Sequence, residues 1–161
     1  LDKVSGMTLG VWQTRPKSNG YVKINSKNMH EPPIINPNYL SDPYDVDVLL
    51  KSIKIGRNLL STSPLQPYLN GKTNPSNDLQ TDDELLSWAR NEGITVYHMI
   101  GTAKMGPKSD KLAVVNNKLK VRGIESLRVA DASIMPTMPS GNTNAPTMMI
   151  AEKASDMILG K

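Results

Sequence analysis

The chain has 161 residues and a formal net charge of +4, which is enough sequence for one domain or parts of two. The absence of cysteine excludes disulfides, thiolate metal sites and cysteine nucleophiles, and having only two histidines, His30 and His98, argues against a histidine-rich metal site. No apolar run approaches roughly 18 residues, so we expect no transmembrane helix, and a signal preceding Leu1 would not be visible.

The basic residues are spread along the chain, mostly between acidic or polar neighbours, as Lys51, Lys54 and Arg57 are. This distribution favours a solvated surface over a nucleic-acid-binding patch. One basic stripe, Lys118–Arg122, alternates polar and apolar residues, which is more typical of a strand with one wet face. We therefore expect no nucleic-acid partner. Because cysteine is absent and histidine is scarce, we also expect no bound metal.

The first predicted elements are two strands, Thr8–Val11 and Gly20–Asn25, which are separated by turn residues. A helix is predicted from Pro43 to Ser61, because Asp42 can cap it and proline suits its first turn. The apolar residues of this helix recur at helical spacing and should form its buried face: Val46, Leu49, Leu50, Ile53 and Leu60.

The middle of the chain combines a long loop with a short helix. Residues Ser63–Asn77 are rich in proline, and a loop of that length in a compact domain is often functional. Thr81 and Glu84 form a capping box, so a helix is predicted over Asp82–Asn91, ending at Gly93. Its buried side should consist of Leu85, Trp88 and Ala89.

The last third of the chain is predicted to contain short strands followed by one helix. The helix should run over Ala145–Leu159, with Asn144 as its cap. The strands are predicted over Ile94–Met99, Val114–Asn116, Lys118–Val121 and Leu127–Ala130. Strands and helices without regular alternation favour an α+β fold for the first ~100 residues. The final strand, loop and helix look like a returning piece of an α/β sheet.

His98 is the first candidate for chemistry. A histidine at the end of an apolar strand is more often structural than catalytic, but two features favour a role here. The following loop has a glycine at each end, Gly101 and Gly106, so its backbone can approach a ligand closely. An imidazole also has an ordinary pKa near neutral pH, which suits it to take a proton from an alcohol.

Asn142 and Asn144 lie immediately before the last helix, and each has two open interpretations. Each is either a helix cap or a group pointing into a site, where a carboxamide could hold an alcohol oxygen. The helix N-terminus that follows favours a negative charge, such as a reduced flavin or a phosphate, unless it belongs to an ordinary capped core helix. Asp131 closes a predicted strand and either faces a ligand or is a turn residue.

Several common cofactor and nucleophile motifs are absent from the sequence. It contains no G-x-G, which excludes a dinucleotide fingerprint, and it has no Walker-type loop. The G-x-S-x-G pattern of hydrolases is also missing. A cofactor would therefore have to be bound mainly by residues outside this chain.

A series of short motifs runs through the last third of the chain: Tyr97–Thr102, Lys104–Pro107, Ala113–Val115, Leu127–Ser133, Ser140–Thr147 and Ala151–Lys153. Together they resemble the C-terminal part of the glucose–methanol–choline (GMC) flavin oxidoreductases. The SGNTNAPT loop in this series is similar to that of the choline-dehydrogenase-like branch. Two earlier segments, Arg15–Gly20 and Pro33–Asp45, also look like the substrate-domain pattern of this family.

The resemblance implies a fragment of a larger two-domain enzyme whose N-terminal FAD-binding fold lies outside this chain. Residues 1–98 would be a segment of an α+β substrate-binding domain, built from an antiparallel sheet plus helices. Residues 99–161 would return to the α/β FAD-binding domain as one strand and one helix.

The resemblance also implies roles for individual residues. His98 would be the catalytic base and Asn142 its partner. Four further residues would lie against FAD: Asp131, Ala132, Thr143 and Asn144. The implied activity is oxidation of an alcohol to an aldehyde or ketone, by proton abstraction and hydride transfer to the flavin N5. The electron acceptor would be oxygen or a quinone-type compound.

Two alternatives stay open for the function. A hydroxynitrile lyase with a GMC fold keeps FAD but has no redox turnover, and a fragment without the N-terminal FAD fold would have no activity of its own. We expect this chain to be inactive without that half. The resemblance identifies no particular alcohol, and it is compatible with a cytoplasmic protein or one peripherally associated with a membrane.

Overall fold

The computed structural model describes residues 5–69, 71 and 73–161. Its residues form two compact units. Unit 1 contains the described residues up to Gln13 together with Tyr39–Ile94, and unit 2 contains Thr14–Asn38 and Thr95–Lys161. A two-stranded antiparallel sheet and three α-helices make this a small α+β chain. None of the helices in the described part of the chain has the length and apolar character needed to cross a bilayer.

Helix α1 of unit 1 spans Pro43–Leu60 and confirms the predicted helix to within one residue. The Asp42 side chain accepts a hydrogen bond from the Tyr44 N–H, and Pro43 occupies the first turn, where its missing N–H costs no intrahelical bond. A glycine, Gly56, lies in the helix where Leu9 and Val11 pack against it. A Cβ at this position would lie 3.3 Å from Leu9 Cδ2, so a larger residue would crowd the contact.

Helix α2 of unit 1 spans Asp82–Glu92, and its capping box is formed as predicted. The Thr81 side chain accepts from the Glu84 N–H, while the Glu84 carboxylate accepts from the Thr81 N–H. Hydrogen bonds to its carboxylate hold the pKa of Glu84 below its usual range, with the Thr81 backbone N–H as the largest cause and the Thr81 hydroxyl and the Gln80 N–H adding to it. Gly93 follows the helix as its C-cap.

The core of unit 1 lies between these two helices. It is built from Leu50 and Ile53 of α1 and from Leu85 and Ala89 of α2, with Trp88 partly buried against them. Arg57 donates to the carbonyl oxygens of Ser76 and Leu79, which ties the end of the long loop to α1. The predicted loop Ser63–Asn77 contains a 3₁₀ turn at Gln66–Tyr68, and its residues Asn70 and Lys72 lie outside the described residues.

The sheet of unit 2 pairs strand β1, Tyr21–Lys23, with strand β2, Ile34–Asn36. Strand β1 is shorter than the predicted Gly20–Asn25, and β2 was not predicted because prolines flank it on both sides. The predicted strand Thr8–Val11 is wrong. That segment belongs to unit 1, where Val11 packs against the helical core instead of joining a sheet ladder.

The other predicted strands, all in the last third of the chain or just before it, are also wrong as continuous elements. Ile94–Met99 forms no ladder, and Tyr97 has a φ of 60°, which is incompatible with extended strand geometry. The three later segments make only single bridges, which join Met105 to Val115, Val115 to Val121 and Lys120 to Arg128. Left-handed backbone at Leu119, with a φ of 61°, interrupts the predicted strand Lys118–Val121, and Ser126, just before Leu127–Ala130, has a φ of 60°.

Helix α3 of unit 2 spans Asn144–Leu159 and ends at Gly160, whose φ of 70° terminates it. Asn144 was predicted as its cap, and this is wrong, because Asn144 is the first helical residue and Thr143 occupies the cap position. Buried side chains of α3 pack on the bridged segments and on the 3₁₀ turn Ala132–Ile134. The buried core consists of Val115, Leu119, Ile134, Met135, Ile150 and Ala154.

Candidate functional site

His98 and Asn142 come together within unit 2, although 44 residues separate them in the sequence. The Asn142 Nδ2 atom lies 2.9 Å from the His98 Nε2 atom. The His98 side chain is half-buried, while Asn142 is exposed on the loop that precedes α3. The two residues that the sequence suggested for chemistry are therefore within direct hydrogen-bonding distance, at a place that solvent can reach.

The second ring nitrogen of His98 also has a partner. Thr143 Oγ1 lies 3.1 Å from His98 Nδ1, and the Thr143 residue is only 8% exposed. Asn142 and Thr143 are neighbours in sequence, so one short loop segment supplies a hydrogen-bonding group to each side of the imidazole. This double contact fixes both the position and the plane of the ring.

Thr143 is placed so that its side chain does not cap α3. Its backbone has helical angles, with φ of −80° and ψ of −7°, and no side-chain capping bond is formed at the helix start. Instead, the Thr143 carbonyl accepts the first helical hydrogen bond, from the Thr147 N–H at 3.0 Å. The first amides of α3 thus lack the side-chain acceptor that an N-terminal residue usually provides.

The loop that carries Asn142 is held by a residue that the sequence did not single out for the site. Arg15 donates from Nε to Ser140 Oγ at 2.6 Å, across 125 residues of sequence. Arg15 and Ser140 lie within two of the motifs that carry the family resemblance, but the turn chemistry around Arg15 gave no indication that they meet. The contact restrains the loop two residues before Asn142.

On the other side of His98, the loop Gly101–Gly106 runs along the 3₁₀ turn. The Ala103 N–H donates to the Ser133 carbonyl at 3.0 Å, and the Met105 N–H donates to the Ile134 carbonyl at 2.7 Å. Gly101 has a φ of 85°, a conformation that glycine adopts without a steric penalty. These bonds anchor the segment that leaves His98 on the buried core of unit 2.

The region next to this loop carries an ion pair between Lys104 and Asp110, with 2.8 Å between Nζ and Oδ2. Both side chains are about a third exposed. The hydrogen bond from Lys104 is the largest cause that holds the pKa of Asp110 below its usual range, and the Leu112 N–H adds to it. The pair stabilises the turn that follows the loop and takes no part in the His98 contacts.

Asp131 and Ala132 are not among the residues that contact His98. The Asp131 carboxylate accepts a hydrogen bond from the Ser133 N–H at 2.8 Å and caps the 3₁₀ turn. Its side chain remains exposed, and Ala132 packs partly buried against the core of unit 2. Asp131 therefore caps this turn, and its carboxylate can be reached from solvent. No cluster of metal-ligating side chains occurs among the described residues.

The start of α3 fits a group with an electron-rich edge. Asn144 and Ala145 are exposed there, no side-chain cap covers their backbone N–H groups, and the helix dipole places partial positive charge at this end. Pro146 follows and has no N–H to contribute. The imidazole of His98 and the positive, amide-lined start of α3 are therefore brought together by the loop that carries Asn142 and Thr143.

Comparison with known proteins gives a consistent result across almost the entire chain. Residues 16–151 match the family described as GMC oxidoreductase. An alcohol dehydrogenase [acceptor] of Pseudomonas putida is 42% identical over 97% of this chain, and an oxygen-dependent choline dehydrogenase of Staphylococcus aureus is 46% identical over 89% of it. A solved formate oxidase structure matches 91% of the chain with a TM-score of 0.81 at 31% identity.

The chain is much shorter than the proteins that it matches. It spans 28% of the length of the Pseudomonas putida relative and 26% of the Staphylococcus aureus relative. It likewise covers 26% of the formate oxidase chain. The matched part of each relative is thus about a quarter of that protein.

Proposed function

The chain belongs to the glucose–methanol–choline oxidoreductase family, and from that premise we propose that it carries the proton-accepting part of an FAD-dependent alcohol oxidation. The observation that supports the proposal most strongly is the 2.9 Å contact between His98 and Asn142. It joins an imidazole and a carboxamide at the solvent-accessible start of a helix that has no side-chain cap.

In this proposal His98 is the general base. Its Nε2 atom accepts the hydroxyl proton of the alcohol, a role for which an imidazole is suited near neutral pH. The Asn142 carboxamide holds the alcohol oxygen, because an oxygen within reach of His98 Nε2 is also within reach of the neighbouring amide. Orientation of the alcohol by these two groups lowers the barrier by removing the freedom that the reactants would otherwise have to lose.

FAD is the cofactor that this arrangement suits. The uncapped N–H groups at the start of α3 favour the electron-rich edge of such a group, so that Thr143 and Asn144 would lie against it. Asp131 and Ala132 would contact it from the exposed side of the 3₁₀ turn. When bound, FAD supplies the acceptor for the hydride of the carbinol carbon. Most of its binding residues would lie outside this chain, because the sequence contains no G-x-G motif.

The proposed division of the chain follows the family. Residues 1–98 would contribute to a substrate-binding domain, and residues 99–161 would complete an FAD-binding domain. The substrate would be a small alcohol, as the names of the alcohol and choline dehydrogenase relatives suggest. The electron acceptor would be oxygen or a quinone-type compound, and the activity would need the N-terminal FAD fold.

The experiment that tests the proposal replaces His98 in the protein at its natural length and loaded with FAD. His98→Ala should lower turnover with a primary alcohol by at least ~10²-fold, because general base catalysis contributes about that much. Flavin absorbance should show that FAD is still bound. The exposed His30→Ala serves as the matched control and should leave turnover unchanged. Near-normal turnover of His98→Ala would remove His98 from the role of base.

A further inference from the structure

We propose that Thr143 is a positioning residue that, together with the Asn142 amide, holds the proton of neutral His98 on Nδ1 and so leaves Nε2 free to act as the base. The inference rests on the proposed function, because His98 can act as a base at Nε2 only while its own proton is on Nδ1. It gives Thr143 a role in addition to the proposed contact with FAD.

The first observation is the identity of the atom that faces each ring nitrogen. An amide nitrogen only donates, so the Asn142 Nδ2 atom at 2.9 Å requires His98 Nε2 to be the acceptor. A neutral imidazole has one donor and one acceptor nitrogen, and the proton must then be on Nδ1. Thr143 Oγ1 lies 3.1 Å from Nδ1 and has lone pairs to accept that proton's hydrogen bond.

The second observation is that the Thr143 hydroxyl has no other function in the helix. A threonine at the N-cap usually accepts from a backbone N–H of the first turn, but no such bond is formed here. The residue is 8% exposed, so water is largely excluded from its side chain. The Thr143 hydroxyl therefore contacts His98 instead of capping α3.

The consequence concerns which nitrogen can take the alcohol proton. The hydrogen bond made by one ring nitrogen determines the protonation of the other. With Thr143 holding the Nδ1 proton, the Nε2 lone pair stays directed toward Asn142, where an arriving hydroxyl can replace the amide as donor. Without the Thr143 hydroxyl, the Nδ1–H loses its acceptor, so the tautomer with the proton on Nε2 becomes accessible once the Asn142 carboxamide turns its oxygen toward the ring. That tautomer cannot accept a proton at Nε2.

The direct test reads the tautomer of His98 by long-range proton–nitrogen correlation spectra of the neutral imidazole in the 161-residue chain. His30 is the only other histidine and is exposed, so it provides an internal reference. In the unsubstituted chain, the proton should be on Nδ1 of His98. Thr143→Val should shift the population toward a proton on Nε2, whereas Thr143→Ser should restore the Nδ1 form.

Thr147→Val is the matched control, because Thr147 lies one turn along α3 and its hydroxyl bonds only to the Thr143 carbonyl among the described hydrogen bonds. This variant should leave the His98 tautomer unchanged. Circular dichroism of all variants should show the same helix content. A proton on Nε2 in the unsubstituted chain, or an Nδ1 proton that persists in Thr143→Val, would overturn the inference.

The kinetic test uses the FAD-loaded protein at its natural length. Thr143→Val should lower kcat by about 10- to 100-fold, by analogy with groups that orient metal-ligating histidines, with little change in KM. Thr143→Ser should recover most of that loss. If His98→Ala abolishes turnover but Thr143→Val does not lower it, this inference fails while the proposed function stands. If His98→Ala leaves turnover intact, the proposed function itself fails.

Discussion

At the scale of single residues, the site depends on two adjacent side chains that contact opposite sides of one imidazole. Asn142 contributes a carboxamide at 2.9 Å and Thr143 a hydroxyl at 3.1 Å. Because the loop approaches the ring with both residues, a change in its backbone would alter both contacts together. The Arg15–Ser140 bond restrains this loop and therefore supports the geometry from a distance.

Replacing Asn142 with alanine should separate orientation of the alcohol from proton transfer. Asn142→Ala keeps His98 but removes the amide that would hold the alcohol oxygen, and kcat/KM should fall on the order of 10²-fold, as for the loss of one preorganised hydrogen-bond donor. The exposed Asn117→Ala is the matched control and should have no effect. Steady-state kinetics with a primary alcohol measures both, and unchanged kcat/KM in Asn142→Ala would contradict the role.

The Lys104–Asp110 pair predicts how stability changes with pH. The pKa of Asp110 is lowered in the folded chain, so its carboxylate contributes stability above the ordinary pKa of an unfolded Asp. That contribution should be lost as the pH falls below about 4 and passes through the lowered value. Denaturant unfolding should show the native chain more stable than Asp110→Asn at pH 7, with the difference shrinking in acid. A difference that does not change with pH would rule out the ion pair as its source.

The candidate residues of the site could be identified from residue types, but the contacts between them could not. His98 and Asn142 were predicted because their side chains suit base and hydrogen-bonding roles and lie in the family motifs. Asn144 was wrongly predicted as the helix cap, since asparagine is a favoured cap and threonine a weaker one. Whether Thr143 or Asn144 occupies the cap position is related to the contact between Thr143 and His98. A contact over 45 residues of sequence leaves no local signal.

At the scale of elements, the helices and the strands differ in how much the sequence specified. Helices α1 and α2 begin and end within a residue or two of prediction, because Asp42, Thr81 and Gly93 act on their own chain neighbours. A strand needs a partner elsewhere in the chain, and alternation alone does not supply one. Apolar residues alternate in Thr8–Val11 and Ile94–Met99, but neither segment pairs with another strand. Both are therefore irregular.

The two helix starts, of α2 and α3, should respond differently to removal of a polar side chain. Thr81→Ala breaks the capping box and should lower the free energy of unfolding by about 1 kcal/mol. Asn144→Ala should change it by less than about 0.5 kcal/mol, because Asn144 is the first helical residue and caps nothing. Urea unfolding followed by circular dichroism compares the two variants. An equal loss of unfolding free energy in both variants would show that Asn144 caps α3 after all.

At the scale of the whole molecule, each unit has its own buried core. Leu85 of unit 1 is 1% exposed and Val115 of unit 2 is fully buried, and these are the largest completely enclosed side chains of the described residues. Both cores are small, and many large apolar side chains remain at the surface. The chain corresponds to about a quarter of the length of the relatives that it matches.

The core of unit 1 should be sensitive to a single truncation. Leu85→Ala removes a side chain packed between α1 and α2. It should lower the free energy of unfolding by ~2–5 kcal/mol, the range seen for buried leucines. Leu59→Ala is the matched control, because Leu59 lies on α1 but is 49% exposed, and it should cost much less. Thermal or denaturant unfolding measures both, and similar losses would show that the α1–α2 interface does not carry the stability of the unit.

The most direct measurement of the central claim is the anaerobic rate at which a primary alcohol removes the visible absorbance of bound FAD. The natural-length protein and its His98→Ala variant should be compared at equal FAD content. We predict rapid bleaching in the first and a rate at least ~10²-fold lower in the second. Equal rates would contradict the role of His98, and no bleaching of either protein by any of a series of primary alcohols would contradict alcohol oxidation and favour the lyase alternative.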